Sequence, residues 1–372
     1  MHDSRLDRWA DVLVNYSLAL KPGELLVIDA QALAAPLVRA VYRAALAAGA
    51  VPETSIALDG LEEDFLKRAN DTQLAFVSPI RRTAVEQADA FLYLRGTANT
   101  RELSGLDPER LRKRSQANRA MMDRFYERCR RGELRWCLTV YPTPAQAQEA
   151  DMSLTDFEEF VFAACHLNDP DPLAHWRQVE AEQARIVEYL SRKSEFRIVA
   201  PDTDLTFSAG GRKWENACGK VNFPDGEVFT SPVEGSVEGR IRFSFPGIFR
   251  GQAIEDIRLT FKEGRVAEAS ARTGESLLHA LIATDEGARV PGEFAIGTNF
   301  AITRQVREML FDEKMGGTIH LALGRSVGET GGRNQSAIHW DMLCDVRQDA
   351  ALYADGEKFY ENGRFLVPLN SP

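Results

Sequence analysis

Two histidines and an aspartate near the C-terminal end carry the first chemical signal. Residues 311–324 read FDEKMGGTIHLALG and residues 336–341 read SAIHWD, so His320 and His339 each stand in an apolar run where a strand usually carries Val or Leu. Side chains at i and i+2 of a strand point to one face. The His339 imidazole and the Asp341 carboxylate can therefore reach one cation, and His320 brings the set to three ligands, enough for a divalent metal with a position left open for water. A single histidine on an apolar strand is more often a core residue with both nitrogens satisfied. The companion carboxylate is what turns this pair toward metal.

Two glutamates extend the set. In NFPDGEVFTSP (residues 222–232) Glu227 emerges where a Pro-Asp-Gly turn feeds a strand, and in VPGEFAIGTN (residues 290–299) Glu293 has a comparable place. Taken alone, a glutamate after a turn is usually solvated. Together with His320, His339 and Asp341 these two make three carboxylates and two imidazoles, a balance that suits two divalent cations sharing a bridging oxygen ligand.

On these segments the chain resembles the aminopeptidase T, AmpS and PepS family of bacterial metallo-aminopeptidases, in general layout over most of its length and most strongly from about residue 220 to 345. The resemblance implies that Glu227, Glu293, His320, His339 and Asp341 bind two divalent metals (zinc, cobalt, manganese or magnesium). It also implies an N-terminal α/β domain, a C-terminal β-rich metal domain and a homodimer. The reaction expected is hydrolytic release of the N-terminal residue of a peptide, with Glu293 as the ligand nearest the water and its general base. One departure stands out: family members carry a tyrosine seven residues after the HLALG histidine, and here that position is Val327. Tyr353 or Tyr360 would have to approach from elsewhere in the chain to replace it.

Two other readings stay open. Ring-cleaving dioxygenases of the dihydroxypyridine type resemble the same C-terminal half and use one non-heme iron on two histidines and a carboxylate, which here are His339, Asp341 and either His320 or His279. A catalytically weak small-molecule-binding relative fits the Val327 departure. Lys314 in FDEK is read as a solvated loop residue, with an oxyanion-stabilising role as the second possibility. Other chemistries lack their motifs: residues 235–239 read GSVEG rather than a nucleophile elbow, and neither an HExxH nor a GxGxxG sequence occurs.

The elements that must position these residues follow from length and periodicity. A chain of 372 residues exceeds what one core usually serves. Residues 1–194 alternate helix and strand: Leu6, Trp9, Leu13 and Tyr16 recur at helical spacing, ELLVIDA, AFLYL and LRWCLTVY are continuous apolar runs, and 36–48 is a helix opened by Pro36 and stopped by Gly49. That order implies an open, mostly parallel α/β sheet. Residues 172–192 predict a connecting helix. Beyond about residue 195, FRIVA, DLTFSA, GRIRFSF and IEDIRLTF alternate in the period of half-exposed strands, so 195–372 is expected to be an antiparallel β-rich, barrel-like domain with helical insertions near 275–286 and 302–312.

The formal net charge of −10 argues against nucleic acid as a partner. The one basic run, residues 110–131, has helical spacing and is read as a solvated face. The N-terminal segment has no apolar core of a signal peptide, and no run approaches the roughly 20 apolar residues of a membrane span. Five cysteines without a CxxC pair suggest neither a zinc knuckle nor a full disulfide set. A cytoplasmic protein acting on short peptides or small molecules is the expectation.

Overall fold

The computed structural model describes residues 3–249 and 251–366. Two compact units emerge: one runs to His175 and takes in Gly219–Pro224, and the other comprises Trp176–Cys218 and the chain from Asp225 onward.

The first unit is built on a five-stranded, all-parallel sheet in the order Val51–Ala57, Leu25–Gln31, Ala90–Arg95, Arg135–Val140 and Asn222–Phe223. The three inner runs are the continuous apolar ones, as strands covered on both faces require. Val27, Val85, Phe91, Phe125 and Leu134 pack into a core on one side. Helix Ala35–Ala47 carries Pro36 in its first turn and ends before Gly49, whose φ of +79° only glycine adopts readily. The basic segment forms the helix Pro108–Arg130. It is not solvated throughout: Arg128 is buried, and its guanidinium donates to the carbonyls of Val85, Ala88 and Glu133.

From Trp176 on, the helix Pro172–Leu190 belongs to the second unit, and it sends Ile186 and Leu190 into that unit's core. An eight-stranded antiparallel sheet contains the four alternating runs that the sequence marks, paired from Glu195–Ala200 through Thr203–Ser208, Glu238–Phe243 and Ile257–Lys262 to Arg265–Ser270. Glu263 and Gly264 close the last hairpin with φ of +51° and +71°, the left-handed pair that a two-residue turn needs. A second antiparallel sheet runs His339–Asp345, Thr318–Gly324, Pro291–Gly297, Glu227–Thr230 and Glu215–Ala217. The two sheets share one core: Leu205, Phe207, Ile241 and Leu259 from the first meet Val228, Phe294, Ile296, Ile319 and Leu321 from the second, and the Phe207 and Phe294 rings lie 4.7 Å apart.

The expected insertions are shorter than their periodicity suggests. Near 275–286 the helix is Glu275–Ile282, followed by a tight turn at Glu286–Arg289. Of 302–312 only Met309–Asp312 is helical. Arg307 takes a φ of +60°, which breaks the helix before it starts.

Candidate metal centre

All five predicted residues come from the five-stranded sheet of the second unit, and strand register explains why they meet. Glu293 stands opposite Ala322, and Ala322 opposite Asp341; His320 is opposite Ala295, His339 opposite Gly324, and Glu227 opposite Gly297. Opposed residues and their i±2 neighbours share a face. The alternate residues, Val228, Phe294, Ile296, Ile319, Leu321, Trp340 and Met342, all enter the core. One face of the sheet thus anchors it, and the other carries the polar cluster. Ala295, Ala322 and Gly324 are the small residues between, and they leave room for longer side chains to converge.

Two glycines set the aim of the glutamates. The register shifts between Pro291 and Glu293, and a Cβ on Gly292 would lie 2.5 Å from the Gly324 carbonyl oxygen, so only glycine fits this bulge. Before Glu227, Gly226 has φ of +128°, and a Cβ there would lie 2.7 Å from the Cβ of Asn299.

The tips gather closely. His339 Nε2 lies 3.2 Å from Glu293 Oε2 and 3.5 Å from Asp341 Oδ1. His320 Nε2 lies 3.7 Å from Glu293 Oε1 and 3.8 Å from Asp341 Oδ1, and its Nδ1 lies 3.6 Å from Glu227 Oε2. Most of these separations are too long for hydrogen bonds. They suit ligand atoms each about 2.0–2.2 Å from a common ion, which sit about 3.2–3.6 Å from one another in a tetrahedral arrangement. Glu227 Oε2, His320 Nδ1 and Asp341 Oδ1 are buried with no hydrogen-bond partner. Buried polar atoms left so are costly, and a cation is the partner this donor set fits. His339 Nδ1 lies 2.7 Å from the Arg325 carbonyl, which only accepts, so Nδ1 carries a proton and Nε2 is the nitrogen that faces the cluster.

Three sets of ligand atoms lie within reach of one ion: Glu227, Glu293 and His320; Glu293, His339 and Asp341; and Glu313, His320 and Asp341. Glu313, in the same stretch as His320, is a residue that the sequence reading missed. Lys314 departs from its expected solvated position. It is 1% exposed, donates to Glu227 and at 2.7 Å to Glu313, and lies 3.6 Å from Asp225. Its place among three carboxylates was not legible because Glu227 is 87 positions away.

Charge crowding shows in the proton affinities. Burial lowers that of His320, but the Glu227, Glu293 and Asp341 carboxylates more than reverse this and raise it to about 9. At His339 the same contest, with Asp341 and Glu293 opposing burial, ends at about 11. Burial pushes the Glu227 carboxyl up, against the pull of Lys314 and His320. For Glu293 burial acts upward too, yet the neighbouring imidazoles of His320 and His339 hold it well below the usual range.

The other sequence candidates lie elsewhere. His279 is exposed on its helix, which removes it as a third iron ligand. Tyr353 and Tyr360 belong to strands of the eight-stranded sheet. Val327 caps the turn Gly328–Thr330, its carbonyl accepting from Thr330 Oγ1, and offers no titratable group. One more cluster occurs in the first unit, where His166 Nδ1 and His175 Nδ1 lie 3.3 and 3.0 Å from Asp169 Oδ2. Those two rings stack with centroids 3.6 Å apart and planes 18° from parallel. The ligand atoms of this group, too, lie within reach of one ion.

Comparison with known proteins shows the family. Aminopeptidase 2 of Geobacillus stearothermophilus is 30% identical over 415 aligned positions that span 99% of both chains. Aminopeptidase T of Thermus thermophilus is 28% identical, over 97% of this chain and 98% of its own. The solved structure of wild-type AmpT from Thermus thermophilus superposes with a TM-score of 0.82 at 25% identity, covering 98% of this chain and 99% of that one. A 2,5-dihydroxypyridine dioxygenase from Pseudomonas putida shares the fold alone, with a TM-score of 0.57 at 12% identity over 98% of this chain and 97% of that one. The profile of the thermophilic metalloprotease (M29) family matches residues 2–365. The chain therefore belongs to the M29 thermophilic metalloproteases, and is a hydrolase of that family.

Proposed function

We propose that this protein is a metal-dependent aminopeptidase that hydrolyses the N-terminal residue of short peptides, with two divalent cations held by Glu227, Glu293, His320, His339 and Asp341. The observation that carries the reading is the pair of overlapping ligand sets that share Glu293. Charge supports the count: Asp225, Glu227, Glu293, Glu313 and Asp341 bring five negative charges and Lys314 one positive, and the remaining four equal those of two divalent ions beside neutral imidazoles.

Such cations make water acidic enough to act as a nucleophile near neutral pH and polarise the scissile carbonyl. The protein supplies the rest. Glu293, with Oε1 toward His320 and Oε2 toward His339, takes the proton of the attacking water and later returns it to the leaving amine. The Arg325 carbonyl fixes the His339 tautomer. His339, 26% exposed at its side chain against 1% for His320, lies on the solvent side, where the substrate's amino end enters.

The test is hydrolysis of a leucine anilide before and after exhaustive chelation, with metal added back. Full activity in the chelated protein overturns the reading, as does an intact rate in Glu293→Gln. The mononuclear iron reading draws on His339, Asp341 and His320, two imidazoles and one carboxylate of the same cluster. Anaerobic iron loading followed by oxygen uptake with a dihydroxylated aromatic would favour it instead, and metal binding without turnover of either substrate would favour a weak binding relative.

We also propose a homodimer working in the cytoplasm. Val51–Ala57 is the outermost strand of the parallel sheet, with Val51 and Ile56 half-exposed, and a bare edge of this length is a template for pairing. A monomeric mass in sedimentation at micromolar concentration would refute it.

A further inference from the structure

The two cation positions differ in one respect that the ligand types do not reveal. The inner position, built from Glu227, Glu293 and His320, is fully buried, whereas the outer one, built from Glu293, His339 and Asp341, is partly open. Among the described residues, the inner position borders a fixed positive charge, the Lys314 ammonium. Lys314 Nζ holds Glu227 by Oε1, so that one oxygen of this carboxylate serves an ammonium and the other, Oε2, faces His320. The ion-pair partners of Glu293 and Asp341 among the described residues are the imidazoles of His320 and His339.

We propose that the Lys314 ammonium makes the positions unequal: the outer one fills first, and the inner one fills second and more weakly. This rests on the two-cation reading above. Of the inner carboxylates, Glu227 shares one ammonium with Asp225 and Glu313, while Glu293 and Asp341 of the outer pair make no ion pair with it. Lys314 is 2% exposed at its side chain, so neither water nor salt screens its repulsion of a neighbouring cation. Lys314 is in this sense a positioning residue. It orients Glu227, and it sets how tightly the second ion is held.

The test titrates metal-free protein with cobalt(II), followed by calorimetry and by the visible absorption of the bound ion. Wild type is expected to take up two equivalents in two resolved steps, and His339→Gln to lose the tighter one. Lys314→Met frees three carboxylates from their cation and is expected to tighten the second step about tenfold or more. Lys314→Arg keeps the charge and the wild-type order. A second step that is unchanged or weakened in Lys314→Met overturns the proposal, as does uptake of both equivalents in a single step by wild type. One equivalent bound by wild type and Lys314→Met alike also overturns it. Should Lys314→Met fail to fold, His339→Gln decides, because a tight step surviving there is incompatible with an outer position that fills first. Peptide cleavage is not read in any arm, so a protein that titrates as expected yet cleaves no peptide refutes the aminopeptidase reading alone.

Discussion

Glu293 is the residue on which the chemistry turns, since it lies within reach of both imidazoles. Its replacement by Gln keeps size and shape while removing the base, so turnover of a leucine anilide is expected to fall about 10²- to 10⁴-fold, with far-UV circular dichroism unchanged. The imidazoles give a pH signature in the metal-free protein. A histidine whose folded-state pKa is raised stabilises fully below its ordinary value near 6.5, and this is lost as pH rises through the folded value. With His320 at about 9 and His339 at about 11, the metal-free protein is expected to lose stability from about pH 7 to 11. Urea midpoints at pH 6 and pH 10 would show it, and zinc, which replaces those protons, should flatten the trend. His339 and Asp341 were readable in the sequence because i and i+2 on a strand is local geometry. Glu313 and Lys314 lay in the same quoted stretch, yet neither carries a local pattern that separates it from a solvated loop.

At the scale of elements, the bulge at Gly292 is what turns Glu293 to the polar face. Gly292→Ala forces a methyl against the Gly324 and Arg325 carbonyls, and is expected to cost about 1–3 kcal/mol. Thermal unfolding would measure the loss, and metal affinity should fall with it. Phe294, one residue on, points the other way into the core; Phe294→Ala is expected to cost about 3–5 kcal/mol and to weaken metal binding less per kcal/mol lost than Gly292→Ala. The four alternating strands were legible because period two is a local property. The segment 302–312 was not, since its apolar spacing gives no sign that Arg307 adopts a positive φ.

For the whole molecule, metal is expected to act on the second unit's sheets. Removing it leaves Glu227 Oε2, His320 Nδ1 and Asp341 Oδ1 buried and unpaired. At about 1,000-fold excess over Kd, a bound ion adds about 4 kcal/mol, which raises the melting temperature of a domain of this size by roughly 10 °C. Hydrogen exchange should locate the effect: amides of Pro291–Gly297, Thr318–Gly324 and His339–Asp345 are expected to lose protection on chelation, and those of Leu25–Gln31 and Ala90–Arg95 to change little. Equal loss in both sets would count against a centre built in the second unit.

The sequence by itself determined which residue types could bind metal, the two-part texture of the chain and the alternation that puts His339 and Asp341 on one face, because all of these are encoded over a few neighbouring positions. Only the tertiary structure decided the rest. The short fifth strand Asn222–Phe223, which joins the first unit's parallel sheet from far along the chain, comes from pairing across long separations. So does the meeting of Lys314 with Asp225, Glu227 and Glu313. Such contacts depend on strand register and burial, and no run of consecutive residues records them.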